Sequence, residues 1–275
     1  MSEFLGPYLD HLRSVRRSAN TVKHRGAFLR RIDAQLPCGL DAALSEELHA
    51  VVYRPDYAPW TLATYYAHLG GFFAWACSTR CSLDEILDLN PMDDVERPRT
   101  PDCLPNPVSD TQLAGILDTL TGPLRDAVVL AAYAGLRSVE IARCDREHIT
   151  RDNIVIPVGK GDRPGVVPTH PVIWDMVKDR PRGPVVRDAG QRWDEHRLST
   201  QAAYYLRQLL GEQCGLHRMR HWYGTTVYRT TRDPVRTQQL LRHRNPRSTL
   251  GYILIANEER AEAIGALPVL TPAGR

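Results

Sequence analysis

Lysine is nearly absent from this 275-residue sequence: of its 35 basic residues, only Lys23, Lys160 and Lys178 are lysines. Long apolar runs are absent too, because the longest, residues 127–136, is well below the roughly 20 residues that a transmembrane helix needs. The first residues show no basic segment followed by an apolar one, as a signal peptide would. We therefore expect a cytoplasmic protein with no membrane partner.

The spacing of a metal site is also missing. Six cysteines are present, and Cys77 and Cys81 are four residues apart, but no set of cysteines and histidines has the spacing of a zinc site. In the cytoplasm we expect these thiols to stay reduced. The sequence therefore predicts no metal and no disulfide framework.

Acidic residues are scarce in one part of the chain. Residues 196–252, the basic segment, contain ten arginines and only two acidic residues, a net charge of +8, whereas the whole chain carries +3. Such a density of positive charge is typical of a surface that binds phosphate groups. A solvated basic surface explains the charge alone equally well.

Helical patterns fill the first hundred residues. Apolar residues at helical spacing predict one helix near the start, one from a cap at Ser18 to Gln35, and one after Pro59. These patterns predict a small helical domain over residues 1–95.

This helical domain contains a second basic stretch. Seven basic residues and no acidic residue lie within residues 13–31, although residues 1–100 together have a net charge of −2. The concentration of charge predicts one face that contacts a phosphate backbone. The candidate contacts are Arg16, Arg17, Lys23 and Arg25.

A proline-rich stretch separates this domain from the next. Four prolines within ten residues forbid regular helix and predict an extended linker over residues 96–107. A capping box that begins at Ser109 then opens a second domain, residues 108–275, and two helices follow up to Ala134.

Strand patterns interrupt the helices of the second domain. Residues 153–157 and 165–168 predict two short strands around a hairpin turn at residues 159–163, and helical patterns resume afterwards. The predicted fold class is mainly α with a small β-sheet (α+β), in two domains, the first helical and the second mixed α/β.

Two stretches of the second domain carry charged side chains at informative positions. Arg137 would start a short helix with Glu140 one turn later, which fits a surface ion pair or a buried guanidinium oriented by a carboxylate. Lys160 lies at the hairpin turn, either as an exposed cation or as a flexible proton donor.

The basic segment contains a third set. His217, Arg220 and His221 fall within about one helical turn, so one face of a helix can present a proton carrier and a guanidinium together. Tyr252 follows in the same segment. A phenol, with a pKa of about 10, is a poor nucleophile at neutral pH unless neighbouring groups hold an electrophilic phosphorus and stabilise its oxygens.

Six residues, taken in order along the chain, resemble the catalytic set of the tyrosine recombinase family of phage integrases and Xer proteins. They are Arg137, Lys160, His217, Arg220, His243 and Tyr252. The stretches around them also resemble the family's motifs: Ala134-Gly135-Leu136-Arg137-x-x-Glu140, Gly159-Lys160-Gly161, His217-x-x-Arg220-His221 and Leu241-x-His243. The resemblance covers nearly the whole chain and implies a core-binding domain before a catalytic domain.

Three positions depart from the family's pattern. Cys144 replaces a usual leucine, and Gly224 stands where alanine is common. Arg242 replaces the usual glycine before His243, where it either alters the local geometry or adds a phosphate contact.

The resemblance implies phosphoryl transfer without a metal or other cofactor. Tyr252 would attack the scissile phosphate of DNA, form a 3′-phosphotyrosyl bond and release a 5′-hydroxyl. Arg137 and Arg220 would hold the non-bridging oxygens, because the planar guanidinium is always charged and bidentate. Lys160 would protonate the leaving oxygen.

Histidines have the remaining implied roles. His217 would act as the general base toward the tyrosine or assist it, since imidazole titrates near neutral pH. His243 would hydrogen-bond the scissile phosphate. Glu140 would orient the site without carrying protons itself, and His221 would support the site.

The implied partners are double-stranded DNA recombination sites and other copies of the chain, assembled as a tetramer on synapsed DNA. A partner recombinase or an accessory protein is a further candidate. We expect residues 256–275 to dock on a neighbouring subunit. Additional DNA contacts are expected at Arg218, Arg242 and Arg244.

Two other functions remain open. A type IB topoisomerase would use similar chemistry to relax DNA, but the small helical first domain argues against it. A non-catalytic, architectural DNA-binding protein could keep the fold, but it would not need Lys160 or Tyr252.

Overall fold

The structure, a computed structural model, describes residues 2–81, 83, 86–101, 104–157, 164–243 and 245–255. The chain divides into two compact units, residues 1–102 and residues 103–275. In the described ranges, no helix is long and apolar enough to cross a bilayer.

The regular elements in the described part of unit 1 are all helices. Its helices are α1 (Leu5–Ser14), α2 (Ala19–Gln35), α3 (Ser45–Val52) and α4 (Pro59–Ala76). The hydroxyl of Ser18 accepts the backbone N–H of Thr21 and so caps α2 at the predicted residue. Helix α3 was not predicted, because only Leu48 and Val52 of its eight residues are buried and the apolar pattern is short.

Aromatic side chains form the centre of unit 1. Tyr8, Phe72 and Phe73 are each at most 1% exposed, and Tyr8 meets Phe72 edge to face with ring centroids 5.4 Å apart. The stripe along α4 is therefore core, as its helical spacing predicts. The buried hydroxyl of Tyr8 accepts a hydrogen bond from Arg25 Nη1 at 3.0 Å.

Unit 2 combines helices with two small antiparallel hairpins. Its helices are α5 (Asp110–Thr119), α6 (Gly122–Ala134), α7 (Ser138–Ala142), α8 (Pro171–Val177), α9 (Glu195–Leu210), α10 (Leu216–Thr231), α11 (Pro234–Leu241) and α12 (Arg247–Ile255). Its strands are β1 (Asn153–Ile156), β2 (Gly165–Pro168), β3 (Arg187–Asp188) and β4 (Gln191–Arg192). The predicted fold class is confirmed.

The strands differ from the predictions in detail. β1 pairs with β2, with Asn153 opposite Pro168 and Ile156 opposite Gly165. The turn that joins them lies outside the described residues. The β3–β4 hairpin was not predicted, because strands of two residues carry no alternating pattern. Helix α9 begins at Glu195, and the side chain of Asp194 caps it by accepting the backbone N–H of Arg197.

Helix α6 is the central element of unit 2. Residues 127–132 are each at most 1% exposed, and α6 packs against α8 and α10. A helix apolar on all sides can only be buried. The capping box at Ser109 is present on α5: its hydroxyl accepts the N–H of Gln112, and the Gln112 side chain accepts the N–H of Ser109.

Gly135 ends α6 and turns the chain toward α7. Its backbone is left-handed, with φ +59°, and a Cβ on this residue would lie 2.5 Å from Cδ1 of Tyr223. Only glycine combines this conformation with so close an approach. The turn makes Arg137 the N-cap of α7.

We predict that Gly135→Ala destabilises unit 2 more than Gly122→Ala does. Both glycines have positive φ, and a left-handed conformation costs an ordinary residue about 1–2 kcal/mol. Gly122 faces open space, whereas an alanine at 135 must also displace Tyr223, at a further cost of about 1–3 kcal/mol. The free energy of unfolding in denaturant measures both changes, and equal losses would contradict this packing.

Candidate active site

Arg220 is the most deeply buried charged residue of the site. It lies on α10, is 1% exposed, and donates hydrogen bonds from Nη1 to the carbonyl of Gly135 and from Nη2 to the carbonyl of Leu241. These carbonyls end α6 and α11, where helix dipoles place partial negative charge. Arg220 therefore ties the ends of two helices to α10.

Glu140 lies at the centre of a cluster of arginines. Its Oε1 accepts a hydrogen bond from Arg137 Nη1 at 3.0 Å, and its Oε2 accepts from the Arg137 backbone N–H at 2.9 Å and from Arg242 Nη2 at 2.5 Å. Burial alone would raise the pKa of this carboxyl group, but Arg242, the Arg137 N–H and the Arg137 guanidinium together hold it below the ordinary value. In the Arg137–Glu140 pair, the carboxylate is buried and the side chain of Arg137 is 24% exposed.

Tyr252, on α12, is enclosed by the site. It is 2% exposed, and its hydroxyl lies 3.1 Å from Nδ1 of His221. Its ring lies nearly parallel to that of His243, with centroids 6.1 Å apart. Burial raises the pKa of the phenol, although Arg220 and Arg137 act in the opposite direction.

The two histidines that contact or face Tyr252 are neutral at pH 7. Burial and neighbouring positive charge lower the pKa of His221 to about 4 and that of His243 to about 3. A neutral imidazole can accept a proton from the Tyr252 hydroxyl. His243 Nδ1 lies 3.0 Å from the Thr249 hydroxyl, which fixes the orientation of its ring.

The structure brings His221, which the sequence analysis treated as a supporting residue, into contact with the phenol. His217 packs edge-on against His221, with ring centroids 4.4 Å apart. The two histidines are four residues apart on one helix face, so spacing alone cannot tell which one meets the tyrosine. Thr249 was also missed, because a lone threonine carries no sequence signal.

The predicted DNA contacts fall into two groups. Arg16, Arg17 and Lys23 are exposed on unit 1. Arg218 is instead held by protein acceptors: it pairs with Glu212 at 2.6 Å and reaches the carbonyl oxygens of residues 106 and 107, with its side chain only 12% exposed.

Four more of the predicted residues are either partly buried or outside the described residues. Arg242 was also assigned to DNA, but its side chain is 15% exposed and paired with Glu140. Arg25 is half-buried against Tyr8. Lys160 and Arg244 lie outside the described residues.

In the part of the chain that the structure describes, no group of three or more histidine, cysteine, aspartate or glutamate side chains is arranged to hold a metal ion. The arrangement that is present consists of one phenol, neutral imidazoles and three guanidinium groups around one carboxylate. Such a set can bind an oxyanion and move a proton.

Comparison with known proteins shows similarity to one group of enzymes. No family model matches the chain. The sequence is 30% identical over 196 residues to tyrosine recombinase XerC of Chromohalobacter salexigens, covering 65% of this chain and 65% of that protein. It is 28% identical to tyrosine recombinase XerA of Thermococcus kodakarensis, covering 62% of this chain and 67% of that protein. The chain is similar to tyrosine recombinases.

The alignments thus span about two thirds of the length of these two relatives. The fold of this chain is also that of a lambda integrase solved as a tetramer bound to a Holliday junction. The TM-score is 0.69 and the identity 15%, over 88% of this chain and 77% of the other.

We predict that acid destabilises this protein through its buried histidines. In the unfolded chain a histidine takes up its proton near pH 6.5, whereas His221 does so only near pH 4 when folded. The unfolded state therefore binds more protons between these values, and the stability that the neutral ring contributes is lost as the pH falls from about 6.5 to about 4.

Unfolding in denaturant at pH 7.5, 6 and 5 measures this effect. The variant His221→Gln should lose less stability on acidification than the wild type, while the same change at the exposed His196 serves as the control. An identical loss in wild type and His221→Gln would rule out this linkage.

Gly224 makes room for the tyrosine ring. A Cβ on Gly224 would lie 2.7 Å from Cε1 and Cζ of Tyr252 and 2.9 Å from Cδ1 of Leu241. In an open helix interior, Gly→Ala stabilises by roughly 0.5–1 kcal/mol. We predict that Gly224→Ala instead destabilises the protein by about 1–3 kcal/mol through overpacking.

The matched control is Gly115→Ala on α5, where no heavy atom lies within 4 Å of the added Cβ and stabilisation is expected. Both free energies of unfolding are measured in denaturant. If the two changes stabilised the protein equally, Tyr252 would not be packed against Gly224.

Proposed function

We propose that this chain is a site-specific DNA recombinase that cuts and rejoins strands through a 3′-phosphotyrosyl intermediate. The observation that carries the proposal is the hydrogen bond between the Tyr252 hydroxyl and the neutral imidazole of His221, beside Arg137 and Arg220. A phenol buried next to a proton acceptor and two guanidinium groups is suited to attack a phosphodiester. The family of the relatives points to the same chemistry.

In the proposed reaction, the phenolic oxygen of Tyr252 forms a bond to phosphorus while the bond from phosphorus to the 5′-oxygen breaks. The phenolic proton passes to the histidine pair, and the contact at 3.1 Å favours Nδ1 of His221 as the first acceptor. His217 packs on that imidazole and assists it. The leaving 5′-oxygen takes a proton from Lys160, a role carried over from the family resemblance.

The arginines supply positive charge for the phosphate. Burial, Arg137 and Arg242 lower the pKa of Arg220 to about 9, because three guanidinium groups lie close together with one carboxylate. A phosphate anion between them relieves this repulsion and raises that pKa again. Part of the positive charge of the guanidinium groups therefore stays uncompensated until an oxyanion binds.

Tyr252 must become more accessible before it reacts. At 2% exposure, its hydroxyl cannot reach a phosphate on a DNA duplex. We infer that DNA binding shifts α12, which ends the described part of the chain and carries the tyrosine. The raised pKa of the phenol keeps it protonated in the meantime.

DNA recombination sites are the proposed partner. Exposed Arg16, Arg17 and Lys23 on unit 1 support contacts to the phosphate backbone, and such binding weakens steeply as salt rises. Assembly as a tetramer on synapsed DNA, with residues 256–275 docked on a neighbouring subunit, is part of the same proposal. So is the participation of a partner recombinase or an accessory protein.

We predict that the protein forms a covalent adduct with DNA on Tyr252. Nicked duplexes tiled from the DNA that flanks its gene are incubated with the protein in the presence of a chelator, and denaturing gels reveal the adduct. Peptide mapping should place the DNA on Tyr252, and Tyr252→Phe should form none, because it lacks the attacking oxygen. Tyr228→Phe, which removes a hydroxyl from the same small cluster, is the control and should still react.

Other outcomes identify other functions. Relaxation of any supercoiled plasmid without site preference indicates a type IB topoisomerase. A specific complex in native gels, with no adduct on any duplex, indicates a non-catalytic DNA-binding protein.

A further inference from the structure

Arg242 has a backbone conformation that favours glycine. It caps the C-terminus of α11 with φ +53° and ψ +43°, in the left-handed region. The tyrosine recombinase pattern has glycine at this position, so the arginine is a departure. Because the backbone alone disfavours a side chain here, contacts of the side chain must compensate.

The side chain is held by Glu140. Its Nη2 lies 2.5 Å from Oε2 of Glu140, closer than the 3.0 Å between Arg137 Nη1 and Oε1. Only 15% of the Arg242 side chain is exposed, and 1% of that of Glu140. Charge pairs this deeply buried are little screened by solvent or salt.

Gly165 makes room for the side chain of Arg242, because a glycine has no side chain of its own. A Cβ on Gly165, the first residue of β2, would lie 2.7 Å from Cδ of Arg242. The side chain present at position 242 therefore occupies space that is free because position 165 has none. Gly165 and Arg242 are therefore complementary in size and pack against each other.

The backbone of Arg242 also contacts the site. Its carbonyl accepts a hydrogen bond from Nη2 of Arg137 at 3.4 Å. Arg137 is thus held by Glu140 on one side and by residue 242 on the other. Nη1 of Arg242 is buried and has no acceptor among the described residues, so Glu140 is the carboxylate that this guanidinium compensates.

Charge counting shows the consequence. With glycine at position 242, the Glu140 carboxylate would be paired with Arg137 alone, and it would cancel much of the positive charge of Arg137. With Arg242 present, three guanidinium groups share one carboxylate, and the cluster retains a net charge of about +2. Such a cluster attracts an anion more strongly.

We propose that Arg242 is a positioning residue: it holds Glu140 and offsets its charge, so that the carboxylate cancels less of the positive potential that Arg137 and Arg220 present to the scissile phosphate. This inference rests on the proposed recombinase function.

The decisive experiment compares two substrates with the variant Arg242→Gly, whose glycine suits the left-handed backbone. One duplex has an ordinary scissile phosphate, and the other has a methylphosphonate there, which lacks the negative charge. Single-turnover adduct formation should slow about tenfold to a hundredfold on the phosphate and much less on the methylphosphonate. An equal loss on both substrates would mean a general structural role and would overturn the proposal.

The matched control is Arg232→Gly, the same change at the left-handed end of α10, where the arginine is exposed. Its effect should be the same on both substrates. A substrate-dependent effect as large as that of Arg242→Gly would also overturn the proposal, because loss of any arginine would then suffice.

A double-mutant cycle tests the offset of Glu140 directly. Glu140→Gln removes the carboxylate charge, so adding it to Arg242→Gly should restore part of the rate on the phosphate substrate. If the two losses simply multiply, Arg242 does not act through Glu140.

A readout without cleavage separates this inference from the proposed function. Replacing chloride by sulfate at constant ionic strength should raise the Tm of the wild type more than that of Arg242→Gly. Equal shifts would overturn the role of Arg242. Absence of any adduct from the wild type would reject the recombinase function, while the sulfate comparison would still decide whether Arg242 strengthens the anion site.

Discussion

The active site depends on one buried carboxylate, Glu140, paired with two arginines. Burying a charge is costly unless it is paired, so each member of this cluster requires the others. Removing either arginine would leave Glu140 less compensated at 3% exposure. The charges that are proposed to bind phosphate therefore also hold the loops and helix ends of unit 2 in place.

Arg220 extends this constraint to the surrounding helices. By donating to the carbonyls that end α6 and α11, it fixes both ends relative to α10. His221 lies on the same helix, next to Arg220, and this placement brings its imidazole against Tyr252 of α12. Gly135 and Gly224 permit the close approaches of Tyr223 and Tyr252 that this packing requires. Electrostatics and packing thus specify one arrangement.

The arrangement describes a site at rest. Tyr252 is enclosed and its pKa raised, the two neighbouring histidines are neutral, and positive charge exceeds negative charge around Glu140. Each feature is one that a bound phosphate would change, because an added negative charge favours the protonated forms of arginine and histidine. The enclosed site and the site with a bound phosphate are therefore two electrostatic states of the same cluster.

Much of the secondary structure could be predicted from the sequence, because it depends on interactions between residues close together in the chain. The caps at Ser18 and Ser109, the glycine that ends α6 and the β1–β2 pattern depend on residues within a few positions of one another, and the fold class followed from them. The order of arginines, histidines and tyrosine indicated the family. Tertiary structure alone decided which partner each charged or titratable group has. His221 rather than His217 meets the phenol, and Arg242 pairs with Glu140, because these contacts join residues that are 31 and 102 positions apart in the sequence and that meet only in the folded chain.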